Sequence, residues 1–327
     1  MGYKVIICDD SRLARNFLAR SLPAGFADEQ HFAASGREAL ELVSQGRGEL
    51  LFLDLNMPDL DGYQVLAQLR AQNAPCKVIV ISGDVQPKAL EKVMALGALS
   101  FLQKPLNRDT LLQHLFELGL VTEDMLGLPA TGHQELPGID RQEVLREVAN
   151  VAMGRAAGIM AGIFNVFVQI PVPRVQAMPA TEVLELVEQW QCRPGHQVIS
   201  QGFVGAGISG EVLMELSSEE AHGIANLMGL ECKQAEERAL MVELSSILIG
   251  ACLKGIAAQL ELAFSQGHPI ILGRGENRML DGLGESPVPC VRLGYQIPDE
   301  GIHQELVLLL APACLPVLEK RLTQLVN

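Results

Sequence analysis

A chain of 327 residues, 48% apolar and of mean hydropathy +0.21, has room for two domains with real cores and is not a disordered segment. Its formal charge of −14 is unevenly spread: residues 1–120 hold 12 Lys/Arg against 14 Asp/Glu, the remainder 13 against 25. With 4% aromatics and no Lys/Arg cluster, such a chain is a poor match for nucleic acid or for an anionic membrane surface.

Residues 4–8 (Lys-Val-Ile-Ile-Cys) read as an apolar strand that runs into Asp9-Asp10. No signal peptide is expected ahead of it, and Ile6 stands where myristoylation needs Ser or Thr. Ser11 is the expected N-cap of a helix over 12–21, with Leu13, Phe17 and Leu18 as its buried stripe. A short strand follows at 31–34, then a helix through Val43 opened by Ser35 and Glu38 at capping-box spacing. Leu50-Leu51-Phe52-Leu53 is a continuous apolar run, which predicts a strand buried on both faces, with Asp54 at its carboxyl end. Helices are expected at 63–70, 87–95 and 107–118, and strands at 77–81 and 97–102. Five strands alternating with five helices predict a doubly wound, flavodoxin-like parallel α/β sheet.

In such a sheet, ligands bind beyond the carboxyl ends of the strands. There this chain places Asp9-Asp10, Asp54, Ser82 and Lys104. Three carboxylates at one rim cannot all stay ionised without a cation, and an all-oxygen ligand set suits Mg2+. With a lysine and a hydroxyl opposite, the set fits an aspartyl-phosphate: a carboxylate nucleophile, a metal on the phosphoryl oxygens and a fixed positive charge. Taken singly the residues read more blandly. Phe101 fits a core position, Asp59 and Asp61 fit turns, and Asp9-Asp10 alone fits a solvated loop.

Asp9-Asp10, Asp54-x-Asn56-Met57-Pro58-x-x-Asp61-Gly62, Ser82-Gly83 and Lys104-Pro105 together resemble the receiver domain of two-component response regulators, over about residues 1–120. The resemblance implies that Asp54 accepts phosphate from a histidine kinase. It implies that Asp9, Asp10, Asp54 and the backbone carbonyl of Asn56 hold Mg2+, and that Ser82 and Lys104 grip the phosphoryl group. Phe101 becomes the aromatic switch, and Asn56 and Asp84 edge the site.

A Pro/Gly-rich passage from Gly127 to Gly138 predicts the boundary, giving a receiver over 1–122, a linker over 123–137 and a second domain over 138–327. The second domain carries an internal repeat, about 138–232 and 234–327. Glu147-Val-Ala-Asn150-Val-Ala-Met-Gly154 aligns with Glu243-Leu-Ser-Ser246-Ile-Leu-Ile-Gly250, and Pro173 and Pro269 hold equivalent places. Each copy reads as an Ala/Gly-rich helix, a Pro-bounded turn, two strand-like segments (196–203 and 210–216; 288–293 and 304–310) and a closing helix. That predicts a pseudo-twofold α+β domain with helices on an antiparallel sheet. Gly154, Gly158 and Gly162 also allow a close-packing membrane helix, but Asn150, Arg155 and Asn165 interrupt it, which favours a core helix. Gly205-x-Gly207-x-x-Gly210 has the letters of a dinucleotide fingerprint, but it opens no helix and reads as a hairpin loop. The seven dispersed cysteines, never spaced C-x-x-C, fit reduced thiols of a cytoplasmic protein; Cys192, Cys232, Cys252, Cys290 and Cys314 read as packing residues.

Glu147 and Asn150 share one face of their helix, and either could cap or bond within the domain. Glu147-x2-Asn150-x22-Pro173 resembles the CheC/CheX/FliY family of phosphatases that act on phosphorylated CheY, over about residues 138–327. The resemblance implies that Asn150 orients a water on the aspartyl phosphate of a CheY-like receiver while Glu147 pairs with that receiver's lysine. Glu143 stands where the family often has Asp or Ser. Ser246 replaces the Asn in the second copy and Ala239 holds the upstream position, so Glu243/Ser246 is expected to be a degenerate site. The expected partners are a histidine kinase and a phosphorylated CheY-like receiver, with a second copy of the chain as a further candidate. The expected function is a chemotaxis-type response regulator with a hydrolase output. The same fold also serves as a non-catalytic, phosphorylation-dependent binding module in flagellar switches, and that reading stands beside it. A DNA-binding output lacks a basic recognition helix.

Overall fold

The computed structural model of the chain describes residues 2–128, 141–230, 236–273 and 287–326. Residues 129–137 of the expected linker, and Cys232, lie outside them. The chain divides into two compact units, Met1–Glu147 and Val148–Asn327.

The first unit runs β1 (Tyr3–Cys8), α1 (Arg12–Ser21), β2 (Ala27–Ala33), α2 (Gly36–Ser44), β3 (Leu50–Asp54), α3 (Gly62–Ala71), β4 (Lys77–Ser82), α4 (Pro87–Ala95), β5 (Ser100–Gln103), α5 (Arg108–Glu117), a short α6 (Glu123–Leu126), and the opening turns of α7 (Arg141–Phe164). The five strands are parallel in the order β2-β1-β3-β4-β5. Every residue of β3 is buried. Its side chains alternate between two cores, because successive residues of a strand point to opposite faces. Leu51 and Leu53 meet Ile6, Val80 and Val65 on one face. Leu50 and Phe52 meet Val5, Ile7, Ile79 and Leu111 on the other. This two-sided burial is why the run carries no polar residue before Asp54.

Three caps form as the side-chain chemistry dictates. The Ser11 hydroxyl accepts from the Ala14 amide, and the Asn107 carboxamide oxygen accepts from the Thr110 amide. Asp61 and Gln64 make a reciprocal capping box at the head of α3. The Ser35/Glu38 pair departs from expectation: Ser35 caps α2, but the Glu38 carboxylate accepts from the amide of Ala34, one residue before the cap. The second strand begins at Ala27, four residues ahead of its expected start. As an edge strand it carries exposed Asp28, Glu29 and Gln30, whose polarity hides it from pattern reading.

The second unit continues α7 and runs β6 (Arg174–Met178), α8 (Ala180–Gln191), β7 (His196–Gly205), β8 (Ile208–Ser217), α9 (Ser218–Leu227), α10 (Glu237–Gln259), β9 (Ser265–Gln266), β10 (Ile270–Ile271), β11 (Val288–Ile297), β12 (Ile302–Leu310) and α11 (Leu315–Val326). Its sheet is antiparallel in the order β10-β7-β8-β12-β11-β6, with β9 also paired to β7. Exchange of the two copies maps this order onto itself, since β6, β7 and β8 correspond to β10, β11 and β12. Each copy's hairpin therefore receives its outer strand from the other copy. The β7–β8 hairpin turns on Ala206 and Gly207, both at positive φ (51° and 81°), so the Gly205–Gly210 letters mark a two-residue turn.

The two Ala/Gly-rich helices owe their composition to close approach. A Cβ placed on Gly255 of α10 would lie 2.2 Å from the carbonyl oxygen of Ala152 in α7. Among the described residues, α10 is the one helix long and apolar enough to cross a membrane, and 56% of its apolar window is buried within the protein. The core helix expected around Gly154, Gly158 and Gly162 ends at Phe164, and Ala152, Met153, Ala156, Ala157 and Met160 along it are fully buried.

Candidate phosphorylation site

The rim of the first sheet assembles the residues singled out in the sequence. β1 ends at Cys8, and the chain turns outward through Asp9, whose Oδ1 accepts from the Ser11 amide at 2.8 Å. β3 ends on Asp54 itself, 2% exposed, with Oδ2 accepting from the Asn56 amide at 3.0 Å. Gly62 is required at the start of α3, because a Cβ there would stand 2.4 Å from the Asp54 carbonyl oxygen. β4 ends on Ser82, fully buried, whose Oγ accepts from the Asp84 amide. Lys104 follows β5, and its amide donates to the Ser82 carbonyl at 2.8 Å. Asp84 is buried too and bonds the Gln86 amide and carboxamide; burial lifts its pKa to about 6 against those two hydrogen bonds.

The Lys104 ammonium is the hub. Its Nζ lies 2.8 Å from Asp9 Oδ2, 3.1 Å from Asp54 Oδ1 and 3.1 Å from Glu147 Oε1. Burial by itself would lower the lysine pKa, but Asp54, Asp9 and Glu147 outweigh it and hold Lys104 charged. One cation does not neutralise so many carboxylates. The surplus appears at Asp54, which burial pushes well above the usual carboxylate range, with Lys104 opposing and Asp9, Glu147 and Asp10 adding. Asp10 is raised as well, by burial and by Asp9.

One ligand atom each from Asp9, Asp10 and Asp54 lies within 4.8 Å of the others. Three hard oxygens at that spacing, together short of positive charge, are what a small divalent cation such as Mg2+ requires. Phe101, half-buried on β5, packs against the core that holds Leu53 and Val80.

The rim of this doubly wound sheet thus gathers three carboxylates and a hydroxyl around one buried lysine. Residues 5–116 match the family described as response regulator receiver domain, and this part of the chain is a receiver domain of two-component signalling. Similar proteins include the sensory/regulatory protein RpfC of Xanthomonas campestris pv. campestris (31% identical over 159 residues, 46% of this chain and 22% of that protein). Another is the response regulator MprA of Mycolicibacterium vanbaalenii (32% over 151 residues, 45% of this chain and 64% of that protein). The chain thus spans less than two thirds of the length of either. A solved structure, Vibrio cholerae chemotaxis protein CheY4, is 30% identical, with a TM-score of 0.34, and is matched over 36% of this chain and 99% of its own.

The residues of the second sequence pattern stand as follows. Glu147 is largely buried, its side chain 16% exposed, and burial raises its pKa against the pull of Lys104. Asn150 is 6% exposed. In the second copy Glu243 is exposed and Ser246 half-exposed. Sequence reading singled out Glu143 without its partners and missed Arg146. Glu143 accepts from the Leu13 amide at 2.9 Å and lies 3.7 Å from Arg12, while Arg146 Nε lies 4.0 Å from Asp10 Oδ2. Their signal was their spacing with Glu147, which puts all three on one helical face.

Proposed function

We propose that this protein is a response regulator phosphorylated on Asp54 by a histidine kinase, with an output that hydrolyses the aspartyl-phosphate of a CheY-like receiver. Asp9, Asp10, Asp54 and the Asn56 carbonyl would hold Mg2+, which when bound supplies charge neutralisation. Lys104 and Ser82 hold phosphoryl oxygens, and Phe101 follows Ser82 inward. Such chemistry fits a cytoplasmic protein, where kinase and receiver meet.

The observation that carries the phosphatase reading is the ion pair of Glu147 with the lysine of a receiver site, 3.1 Å apart. It is the contact expected of a helix that addresses such a site, with Asn150 one turn further along. A carboxamide can both accept from and donate to a water, and positioning is the main tool of phosphoryl transfer. The water oxygen bonds phosphorus, the P–O bond to the aspartate breaks, and the electron pair leaves on the carboxylate. Both water protons depart on inorganic phosphate, as H2PO4−. In an assay of phosphate release from a phosphorylated CheY-like receiver, Asn150→Ala is expected to slow release by about tenfold or more. Equal rates for wild type and variant would end the reading.

A second reading, a phosphorylation-dependent binding module without hydrolysis, is favoured by the burial of Asn150 and by Ser246 in place of a second Asn. It predicts capture of a phosphorylated receiver with its phosphate retained.

A further inference from the structure

We infer that the receiver addressed by Glu147 is the one at the head of the same chain, so that Asp54-phosphate is lost in a unimolecular reaction. The inference rests on the phosphatase reading and names its substrate. Three contacts, all within the first unit, carry it. Glu147 Oε1 pairs with Lys104 Nζ at 3.1 Å. Glu143 Oε1 accepts from the Leu13 amide at 2.9 Å, and its other oxygen lies 3.7 Å from Arg12. Arg146 reaches toward Asp10 at 4.0 Å.

The Glu143 contact is the telling one. The first amides of a helix lack partners within it, and the N-terminus favours negative charge. At the head of α1, Ser11 satisfies Ala14 and leaves Leu13 to another acceptor, which Glu143 supplies. Nothing in a receiver's own phosphorylation chemistry calls for either glutamate, since Asp9 and Asp54 already pair Lys104. The opening turns of α7 therefore present a face whose three charged groups each find an opposite charge or a free donor around Asp54.

A tethered contact of this kind acts at an effective concentration of about millimolar, which a separate receiver must outcompete. The phosphoryl group on Asp54 is accordingly the first substrate within reach. Water oxygen bonds phosphorus, the bond to Asp54 breaks with its electron pair returning to the carboxylate, and both water protons leave on inorganic phosphate as H2PO4−.

The test uses the full chain, phosphorylated with labelled acetyl phosphate in Mg2+, freed of donor and followed over a roughly hundredfold dilution. First-order decay with an unchanged rate constant is expected, slowed about tenfold by Glu147→Gln. Arg12→Glu is expected to slow decay, and Arg12→Glu with Glu143→Arg to restore it. By hydrogen exchange, the Leu13 amide is expected to be protected in the wild type and to lose protection in Glu143→Gln. An apparent rate constant that falls in proportion to dilution overturns the inference. So does decay indifferent to Glu147→Gln while an Asp54→Asn chain still clears a separate phosphorylated receiver in an Asn150-dependent way, an outcome that leaves the phosphatase reading standing. Loss of Asn150 dependence on both substrates removes that reading and this inference together.

Discussion

Asp84 shows how one buried carboxyl leaves a measurable trace. Its pKa is raised from 3.8 to about 6 by burial, so the folded state holds the proton more tightly than the unfolded chain does. The ionised form is therefore disfavoured on folding. The cost is absent below about pH 4, grows as pH rises toward 6 and is complete above it, at most ~3 kcal/mol by linkage. In Asp84→Asn the melting temperature should gain on wild type across that interval and not below it; a difference constant with pH would contradict the assignment. Gly62 makes a complementary case. A methyl at 2.4 Å from the Asp54 carbonyl oxygen must push β3 or α3 aside, so Gly62→Ala should cost about 1–3 kcal/mol and slow labelling of Asp54. Denaturant unfolding and acetyl phosphate labelling measure the two effects. Asp9, Asp54, Ser82 and Lys104 were legible as a set in the sequence because each ends, or follows, an apolar run. Glu143 and Arg146 were not, because a charged residue on a helix looks solvent-facing until its partner is known.

Among the elements, β3 and its neighbours were readable because burial on both faces leaves an unbroken apolar run. Helix α8 carried a comparable signal in Val183, Val187 and Trp190, all buried, and passed unread beside the stronger repeat. The polar edge strand β2 gave its start no signal at all. In α7 and α10 small residues mark a contact in which backbone approaches backbone. Gly255→Ala sets a methyl 2.2 Å from the Ala152 carbonyl oxygen and is expected to destabilise the protein by about 1–3 kcal/mol. Gly162→Ala, with nothing within 4 Å of the added methyl, should instead be neutral or stabilising in a helix. Thermal melts of the two variants side by side decide whether packing or intrinsic propensity governs these positions.

For the molecule as a whole, surplus negative charge at the rim is expected to couple folding to a cation. Mg2+ should raise the melting temperature of the wild type, by an amount equivalent to about 2.7 kcal/mol at a hundred times its dissociation constant, and chelation should reverse it. Asp10→Asn should blunt the response; an equal response in that variant would remove Asp10 from the ligand set. From the sequence alone came the parallel α/β class of the first unit, its rim residues and the existence of two repeats. These follow from local periodicity, which reports that a face is buried. Periodicity does not say against what. Only the tertiary structure decided that outer strands β6 and β10 exchange between the repeats, that Gly255 faces Ala152, and that the lysine paired by Glu147 is Lys104. Each of these joins residues far apart in the chain, where the partner is chosen by packing and charge in three dimensions.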